Sequence, residues 1–364
     1  ELHVVMQGRG QVQLDNVEVR RVEGGSEQGN RISNSTFESG TGGWTLEGNV
    51  VQSGLANEGY SSSRSLQLRA TGHGDTGANR AKTSLTSALY DGQTAVLRAR
   101  ARWVCGESHF LLRLRGNYLE AAGQVPVPKN LGTPARENSR SAVNAGPAVW
   151  AVRHDPLLPG TNQPVTVRAR VYDPDGLASV QLRYRIDPSS TTSTVTMTHI
   201  GGGVYTGVIP AQSFGKIAAF RVFATDAHGS PATTCFPRDG SAGARPGPGR
   251  EALVRFGDVR VPSQLDSLVL WMTEADMSEW ADRERHSNEY LDSTLVCGRD
   301  RVIYNAAIRF RGSPWVRPHL ADPENFEWRS SYRVEVPGDE AYLGATEMNL
   351  DSMETAKDPT LQRE

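Results

Sequence analysis

Hydrophobic and polar residues alternate over short runs through most of this chain. In the run "AVLRARARWV", Leu97, Ala99, Ala101 and Trp103 fall on one side of the alternation and arginines fall on the other. A period of two is the pattern of a β-strand with one face in a core and the other in water. The runs are short, and 37 glycines and 20 prolines supply turns between them. The pattern therefore predicts a mostly β protein.

A second set of such runs begins after a polar, turn-rich stretch that ends near Asn144. Val165, Val167, Ala169 and Val171 alternate with polar residues, and the pattern resumes after a turn at 174–176. The region 146–238 is similar to a small immunoglobulin-like or fibronectin-type sandwich. The glycine- and proline-rich region that follows is predicted to be a linker over 239–262, because its opening residues cannot build a core.

The chain begins with strand-like residues that need a partner sheet, and we expect that sheet to lie in a preceding module. In "GQVQLDNVEVRRV" the apolar phase shifts at Asp15 and Asn16, which predicts a bulge or bend. The chain also starts without a methionine or an apolar leader, and we expect it to be part of a longer protein.

Two motifs in the first 50 residues resemble the carbohydrate-binding jelly-roll modules of secreted bacterial proteins. The matching residues of the opening strand are Asn34, Phe37, Glu38, Gly40, Gly43 and Trp44, and those of the closing strand are Leu14, Asp15, Val17 and Val19. The resemblance implies that residues 1–25 close a preceding module and that residues 30–135 form a second one. It also implies a polysaccharide or a cell-surface component as partner.

Four aromatic residues of this region could stack on sugar rings: Trp44, Tyr60, Trp103 and Tyr118. We expect the two tryptophans to lie in the core, which leaves Tyr60 and Tyr118 as the carbohydrate-binding candidates. Related jelly rolls often hold a structural calcium ion near the first and last strands, and Asp15 and Glu38 are the candidate ligands here. The alternative is that both carboxylates serve turns and strand ends without a metal.

The pattern changes after residue 263, where a strand leads into a helix. Thr273 is placed to cap the helix, with Asp276 three residues on, and Met277 and Trp280 share one helical face. A mixed α/β domain is therefore predicted over 263–364.

Four ordered motifs in this last region resemble the start of the spore-coat CotH family of atypical kinases. They are Arg309, Arg311 and Gly312; Ser331 to Val334; Asn349 to Asp351; and Arg363 with Glu364. The resemblance implies ATP and magnesium as cofactors of a complete protein and a protein acceptor for the phosphate.

The resemblance also implies which residues would contact the nucleotide phosphates: Arg309, Arg311, Gly312, Arg329 and Arg333. Arg329 stands near the position where the family carries lysine, and arginine is not an equivalent replacement at a tight site. The family's metal-binding and catalytic acids would lie beyond Glu364, so we assign no catalytic residue. The alternative is that the arginines lie on a solvated strand face, as elsewhere in this chain.

Composition and the absence of known motifs argue against several classes of function. A formal charge of −2 without a concentrated basic face argues against nucleic-acid binding, and no apolar run is long enough to span a membrane. The three cysteines are far apart and lack both disulfide-framework and metal-ligand spacing. No G-x-S-x-G, H-E-x-x-H or Walker sequence supports a hydrolase or an ordinary nucleotidase.

Two hypotheses of function remain. In the first, the chain belongs to a secreted or cell-surface protein in which tandem β-sandwiches precede the truncated start of a kinase-like domain. In the second, the protein is a carbohydrate-binding or adhesion protein whose CotH-like part is not catalytic. Both predict an extracellular or surface location and no activity for this chain alone.

Overall fold

The computed structural model describes most of the chain as three β-rich units. The described residues are 1–74, 79–115, 119–129, 143–238, 250–258, 267–284, 286–298, 301–312 and 331–350. The described part is mostly β, with a single α-helix, which confirms the predicted fold class. Within it, the helix is too short and too polar to cross a membrane.

The first unit is a sandwich of two antiparallel sheets. Its strands are β1 (Leu2–Met6), β2 (Gly10–Glu23), β3 (Ser26–Asn30), β4 (Trp44–Glu47), β5 (Gly54–Ala56), β6 (Ser65–Ala70), β7 (Arg80–Thr83), β8 (Thr94–Gly106), β9 (His109–Leu114) and β10 (Leu119–Gln124). One sheet has the order β10-β9-β1-β7-β4. In the other, β2 pairs with β3, β6 and β8, and β5 completes the edge beside β6. Alternate residues such as Val12, Leu14, Leu66 and Leu68 are fully buried between the sheets.

The prediction that residues 1–25 close a separate, preceding module is wrong. Strand β1 pairs with β7 and β9, and β2 pairs with β6 and β8. The first residues therefore complete the sandwich formed by the strands after residue 30. The predicted bulge is present, because the β2–β8 register shifts between Asp15 and Glu18 and Asn16 has a φ of 48°. The prediction failed because the partners of β1 and β2 lie tens of residues further along the chain, and a local sequence pattern does not indicate which distant strands will pair.

The second unit is another sandwich. Its strands are β11 (Ala148–Asp155), β12 (Val165–Tyr172), β13 (Leu177–Ile186), β14 (Thr192–Thr196), β15 (Thr198–His199), β16 (Val204–Ile209), β17 (Ile217–Asp226), β18 (Thr233–Phe236) and β19 (Ala252–Arg255). One sheet has the order β11-β12-β16-β15, and the other has the order β14-β13-β17-β18 with β19 also paired to β17. The alternating residues of β12 are buried, as their pattern predicts.

The linker predicted over 239–262 includes residues that belong to the second sandwich, so its predicted bounds are too wide. Residues 252–255 form β19, whose partners in β17 run from Ile217 to Phe220. Ala252, Leu253 and Val254 are buried in the core of the sandwich. The strand was not predicted because its apolar run is only three residues long and directly follows a stretch rich in turn residues. Residues 239–249 and 259–262 lie outside the described residues.

The third unit is a five-stranded antiparallel meander with one helix. Its elements are β20 (Leu268–Trp271), α1 (Glu274–Asp282), β21 (Leu291–Cys297), β22 (Arg301–Phe310), β23 (Tyr332–Glu335) and β24 (Glu347–Leu350). The oxygen of Thr273 accepts a hydrogen bond from the Asp276 amide at 3.1 Å, which is the predicted cap. Trp280 is buried against Phe310, with ring centroids 5.0 Å apart, whereas Met277 is exposed.

Contacts between the units are specific. The amide of Asn79 donates to the carbonyl of His286 at 2.8 Å, and its oxygen accepts from the backbone of Asn288 at 2.6 Å. Gln52 donates to Glu289 at 2.9 Å. These bonds join the first sandwich to the segment before β21.

The second sandwich shares its hydrophobic core with the third unit. Trp271, Val296 and Tyr304 of the third unit are buried in the cluster that contains Phe220. The ring of Tyr304 lies edge-on to Phe220, with 5.5 Å between the centroids. The described units therefore pack against one another and are not independent domains without mutual contacts.

Candidate ligand cleft

A cleft of about 620 Å³ opens on the first sandwich. It lies where β2, β8, β9 and β10 meet the segment that precedes β6. Residues of both apolar and polar character line it: Gln13, Asp15, Glu58, Gly59, Tyr60, Ser65, Ala99, Arg100, Ala101, Arg102, Phe110, Gly123, Gln124, Val125 and Pro126. This volume lies within the usual range for a small-ligand site.

Tyr60 is an exposed aromatic side chain that lines the cleft. It is 61% exposed, and the guanidinium carbon of Arg100 lies 4.4 Å from its ring centroid. A cation at this distance is attracted by the ring and holds it in place. Tyr60, which the sequence analysis names as a carbohydrate-binding candidate, thus lines the cleft.

The backbone of Tyr60 is anchored by the buried carboxylate of Asp15. One oxygen of Asp15 accepts from the Tyr60 amide at 2.7 Å and from the Ser62 hydroxyl at 2.9 Å. Gly59 permits this close approach, because a Cβ there would come within 2.8 Å of the same oxygen and would overlap the Arg64 carbonyl. These hydrogen bonds connect the loop that carries Tyr60 to β2.

Glu38 anchors the far end of the same loop. Its carboxylate accepts from the hydroxyl of Ser63 at 2.5 Å and from the amide of Arg64 at 2.7 Å. The hydrogen bond from Ser63 is the main cause of a lowered pKa for Glu38. A carboxylate that accepts several hydrogen bonds is stabilised in its charged form.

Asp15 and Glu38 are the candidate calcium ligands that the resemblance implies, in two different modules, and the alternative is that they serve turns and strand ends without a metal. The structure places both in one sandwich, where each accepts hydrogen bonds from residues of the loop 60–64. Among the described residues, no group of three acidic, histidine or cysteine side chains is arranged to hold a metal ion. The contacts seen here are those of loop anchors.

Gln13, Glu58 and Arg102 form a polar wall of the cleft beside Tyr60. The amide of Gln13 donates to Glu58 at 3.0 Å, and Arg102 donates to the oxygen of Gln13 at 2.7 Å. Arg102 also forms an ion pair with Glu58. The hydrogen bond from Gln13, followed by the hydrogen bond and the charge of Arg102, lowers the pKa of Glu58. The wall therefore presents an ionised carboxylate, a guanidinium and an amide.

The sequence prediction missed Gln13, Glu58 and Arg102 as cleft residues. Gln13 lies between two core residues of β2, and Arg102 lies between Ala101 and Trp103 of β8. Alternation places both side chains on the outer face, where they look like ordinary solvent-facing residues. Only the pairing of β2 with β8 brings them opposite one another.

The other aromatic candidates are distributed as follows. Trp44 is buried and packs on Phe37 with 5.3 Å between ring centroids, and Trp103 is half-buried against the same core. Both tryptophans are thus core residues, as expected. Tyr118 lies outside the described residues.

The arginines predicted to contact phosphate lie on adjacent strands, and two of them interact with groups of the protein. Arg309 and Arg333 are partners in the β22–β23 register. Arg309 donates to Asn288 at 3.3 Å and lies 5.2 Å from the ring centroid of Tyr290, and Arg333 forms an ion pair with Glu347.

The remaining residues of the predicted phosphate site contribute backbone geometry or lie outside the described part. The Arg311 amide donates to the Ser331 carbonyl at 2.9 Å, and Gly312 has a φ of 85°. Arg329 lies outside the described residues. The structure thus brings the predicted strands together and uses their side chains for local contacts.

Comparison with known proteins yields no relative: no protein-family model matches the chain, and no curated protein sequence matches it.

Proposed function

We propose that this chain is a carbohydrate-binding part of a secreted or cell-surface protein, and that the cleft beside Tyr60 is its saccharide site. The observation that carries the proposal is an exposed, anchored tyrosine that lines a cleft of about 620 Å³ beside a wall of hydrogen-bonding side chains. A sugar ring has an apolar face that packs on an aromatic ring and hydroxyl groups that exchange hydrogen bonds with charged and amide side chains.

The anchored loop supports this proposal. Asp15 holds the backbone at Tyr60, and Arg100 holds the ring. Ordering a mobile side chain on binding costs about 0.5–1.5 kcal/mol, so an anchored ring makes a weak sugar contact more effective.

A kinase role is the weaker proposal. It rests on the resemblance of the last hundred residues to the CotH family, which implies ATP and magnesium for a complete protein. Arg309 and Arg333, however, contact Asn288 and Glu347, and charge neutralisation of a phosphate needs available cations and metal-holding acids. We expect this chain to transfer no label from radioactive ATP with magnesium or manganese, and transfer by this chain alone would contradict that expectation.

The saccharide proposal predicts that Tyr60→Ala weakens binding at least tenfold, because the stacking surface is lost. The measurement is affinity electrophoresis in native gels that contain one neutral polysaccharide each: xylan, mixed-linkage glucan, galactomannan or hydroxyethyl cellulose. A tenfold change corresponds to about 1.4 kcal/mol.

Tyr90 supplies a matched control. It is a tyrosine of the same sandwich, is 69% exposed and does not line the cleft. Tyr90→Ala should migrate like the unchanged protein in every gel. The proposal is wrong if the unchanged protein is retarded by none of the polysaccharides, or if Tyr60→Ala and Tyr90→Ala are retarded equally.

A further inference from the structure

The outer face of one sheet of the second sandwich carries an unusual set of side chains. In β12, the buried residues Val167, Ala169 and Val171 alternate with Arg168, Arg170 and Tyr172 on the opposite face. The neighbouring strand β11 adds Trp150 and Arg153. These five outward residues are called the platform: Trp150, Arg153, Arg168, Arg170 and Tyr172.

A bulge in β11 creates the platform. Residues 150 and 153 would lie on opposite faces of a regular strand, because side chains alternate. The β11–β12 register shifts between Trp150 and Arg153, and Ala151 adopts a φ of 48°. A left-handed conformation at alanine costs about 1–2 kcal/mol, and such strain is concentrated at functional sites. The bulge places both Trp150 and Arg153 on the outer face.

The three arginines of the platform have no acidic partner in the described part of the chain. Arg153 lies directly opposite Arg168 in the strand register, and Arg170 follows two residues on. Like charges directly opposite each other destabilise a sheet. The Nε atom of Arg168 is buried and has no hydrogen-bond partner within the described residues. Asp155 is exposed at the end of β11, yet it forms no ion pair with these arginines in the structure.

Two strand arginines elsewhere in the molecule have acidic partners. Arg98 pairs with Glu18 and Glu27, and Arg185 pairs with Asp187 and Glu251. An exposed strand arginine such as Arg98 can therefore be neutralised by acidic residues of this protein. The platform keeps its positive charge available for an external anion.

The aromatic residues of the platform are also exposed. Trp150 is 44% exposed and Tyr172 is 63% exposed. Trp150 is the register partner of Arg170, so Tyr172 is its diagonal neighbour, at about 7–8 Å by standard sheet geometry. Two aromatic rings beside three guanidinium groups thus form one continuous face.

We propose that the platform binds an acidic polysaccharide whose sugar rings carry carboxylate groups. Guanidinium groups bind carboxylates through charge-assisted, often bidentate, hydrogen bonds, and the two aromatic rings offer stacking surfaces for the sugar rings. Three arginines on a protein with a formal charge of −2 make a small cationic area, which suits a polymer with spaced charges better than the dense phosphates of a nucleic acid.

The test is affinity electrophoresis in native gels containing polygalacturonate, at low and at moderate ionic strength. The unchanged protein should be retarded at low ionic strength and released as salt increases, because salt screens charge pairs. The double variant Arg168→Gln with Arg170→Gln, and separately Trp150→Ala, should each lose at least tenfold in affinity. All of these side chains lie on the outer face, so the fold should survive.

The matched control is the double variant Arg98→Gln with Arg115→Gln, which removes the same charge from the first sandwich. It should be retarded like the unchanged protein. Equal loss in both double variants, or no retardation of the unchanged protein, would overturn the proposal. Retardation by a single-stranded oligothymidylate of equal charge concentration, stronger than by polygalacturonate, would assign the platform to nucleic acid instead and would also overturn it.

This inference is independent of the cleft beside Tyr60. Tyr60→Ala should keep polygalacturonate binding, and the platform variants should keep any neutral-polysaccharide binding. Failure of one proposal is therefore distinguishable from failure of the other.

Discussion

Replacing Arg185 by alanine is expected to destabilise the second sandwich by about 3–5 kcal/mol, the usual cost of breaking a buried ion pair from one side. Arg185 donates to Asp187 at 2.8 Å and to Glu251 at 2.6 Å, and all three side chains are largely buried. The two carboxylates, with Glu251 making the larger contribution, raise the pKa of Arg185. Removal of the arginine would leave two negative charges without a counter-ion.

One carboxylate of these ion pairs also connects the second sandwich to the third unit. Glu251 immediately precedes β19, and the second oxygen of Asp187 accepts from the backbone amide of Glu274 at 2.7 Å. Glu274 is the first residue of helix α1, where a negative charge interacts favourably with the helix dipole. The loss should therefore extend to the start of the third unit.

Arg183 is the matched control on the same strand. It is exposed, donates to Gln181 at 2.9 Å and lies 4.2 Å from the ring centroid of Phe223. Arg183→Ala should cost about 1 kcal/mol or less, since exposed contacts of this kind contribute little. Urea denaturation followed by tryptophan fluorescence measures both changes. Similar midpoints for the two variants would show that the buried pairs do not stabilise the fold.

Lowering the pH from 7 to 5 is expected to remove about 2 kcal/mol of the stability shared by the second sandwich and the third unit. The cause is His154, whose burial lowers its pKa to about 4. One ring nitrogen accepts from the hydroxyl of Tyr304 at 2.7 Å, and the other donates to the Leu157 carbonyl at 3.0 Å. This arrangement suits the neutral ring.

The direction of the effect follows from proton binding. The unfolded chain takes up a proton at His154 near its ordinary pKa of 6.5, whereas the folded protein resists until about pH 4. The contribution of His154 to stability is therefore complete above pH 6.5 and is lost as the pH falls toward 4. His3 also has a pKa lowered by burial, so a smaller effect of the same sign is expected from the first sandwich.

Urea midpoints at pH 7, 6 and 5 measure this dependence. His154→Gln should reduce the dependence of the urea midpoint on pH, because glutamine does not titrate. This holds whatever stability the variant loses at pH 7. His199 is exposed on β15 of the same sandwich, and His199→Gln should keep the slope of the unchanged protein. An unchanged slope in His154→Gln would contradict the assignment.

Local features were predictable because their causes lie within a few residues. The alternation in β12 and β13, the cap at Thr273 and the bulge at Asp15 and Asn16 all follow from side-chain periodicity and hydrogen-bonding capacity over short distances. Tyr60 was identified as a candidate because aromatic residues suit sugars. Its cleft could not be predicted in the same way.

The sequence by itself thus determined the mostly β class, the strands with one buried face and the exposed aromatic candidate. The tertiary structure alone decided that β2 completes the first sandwich and that Asp15 and Glu38 anchor one loop. It also decided that Arg185 has acidic partners, whereas Arg168 and Arg170 have none among the described residues. The physical reason is that alternation specifies which face of a strand is buried, whereas the choice of partner strand depends on contacts between residues far apart in the chain.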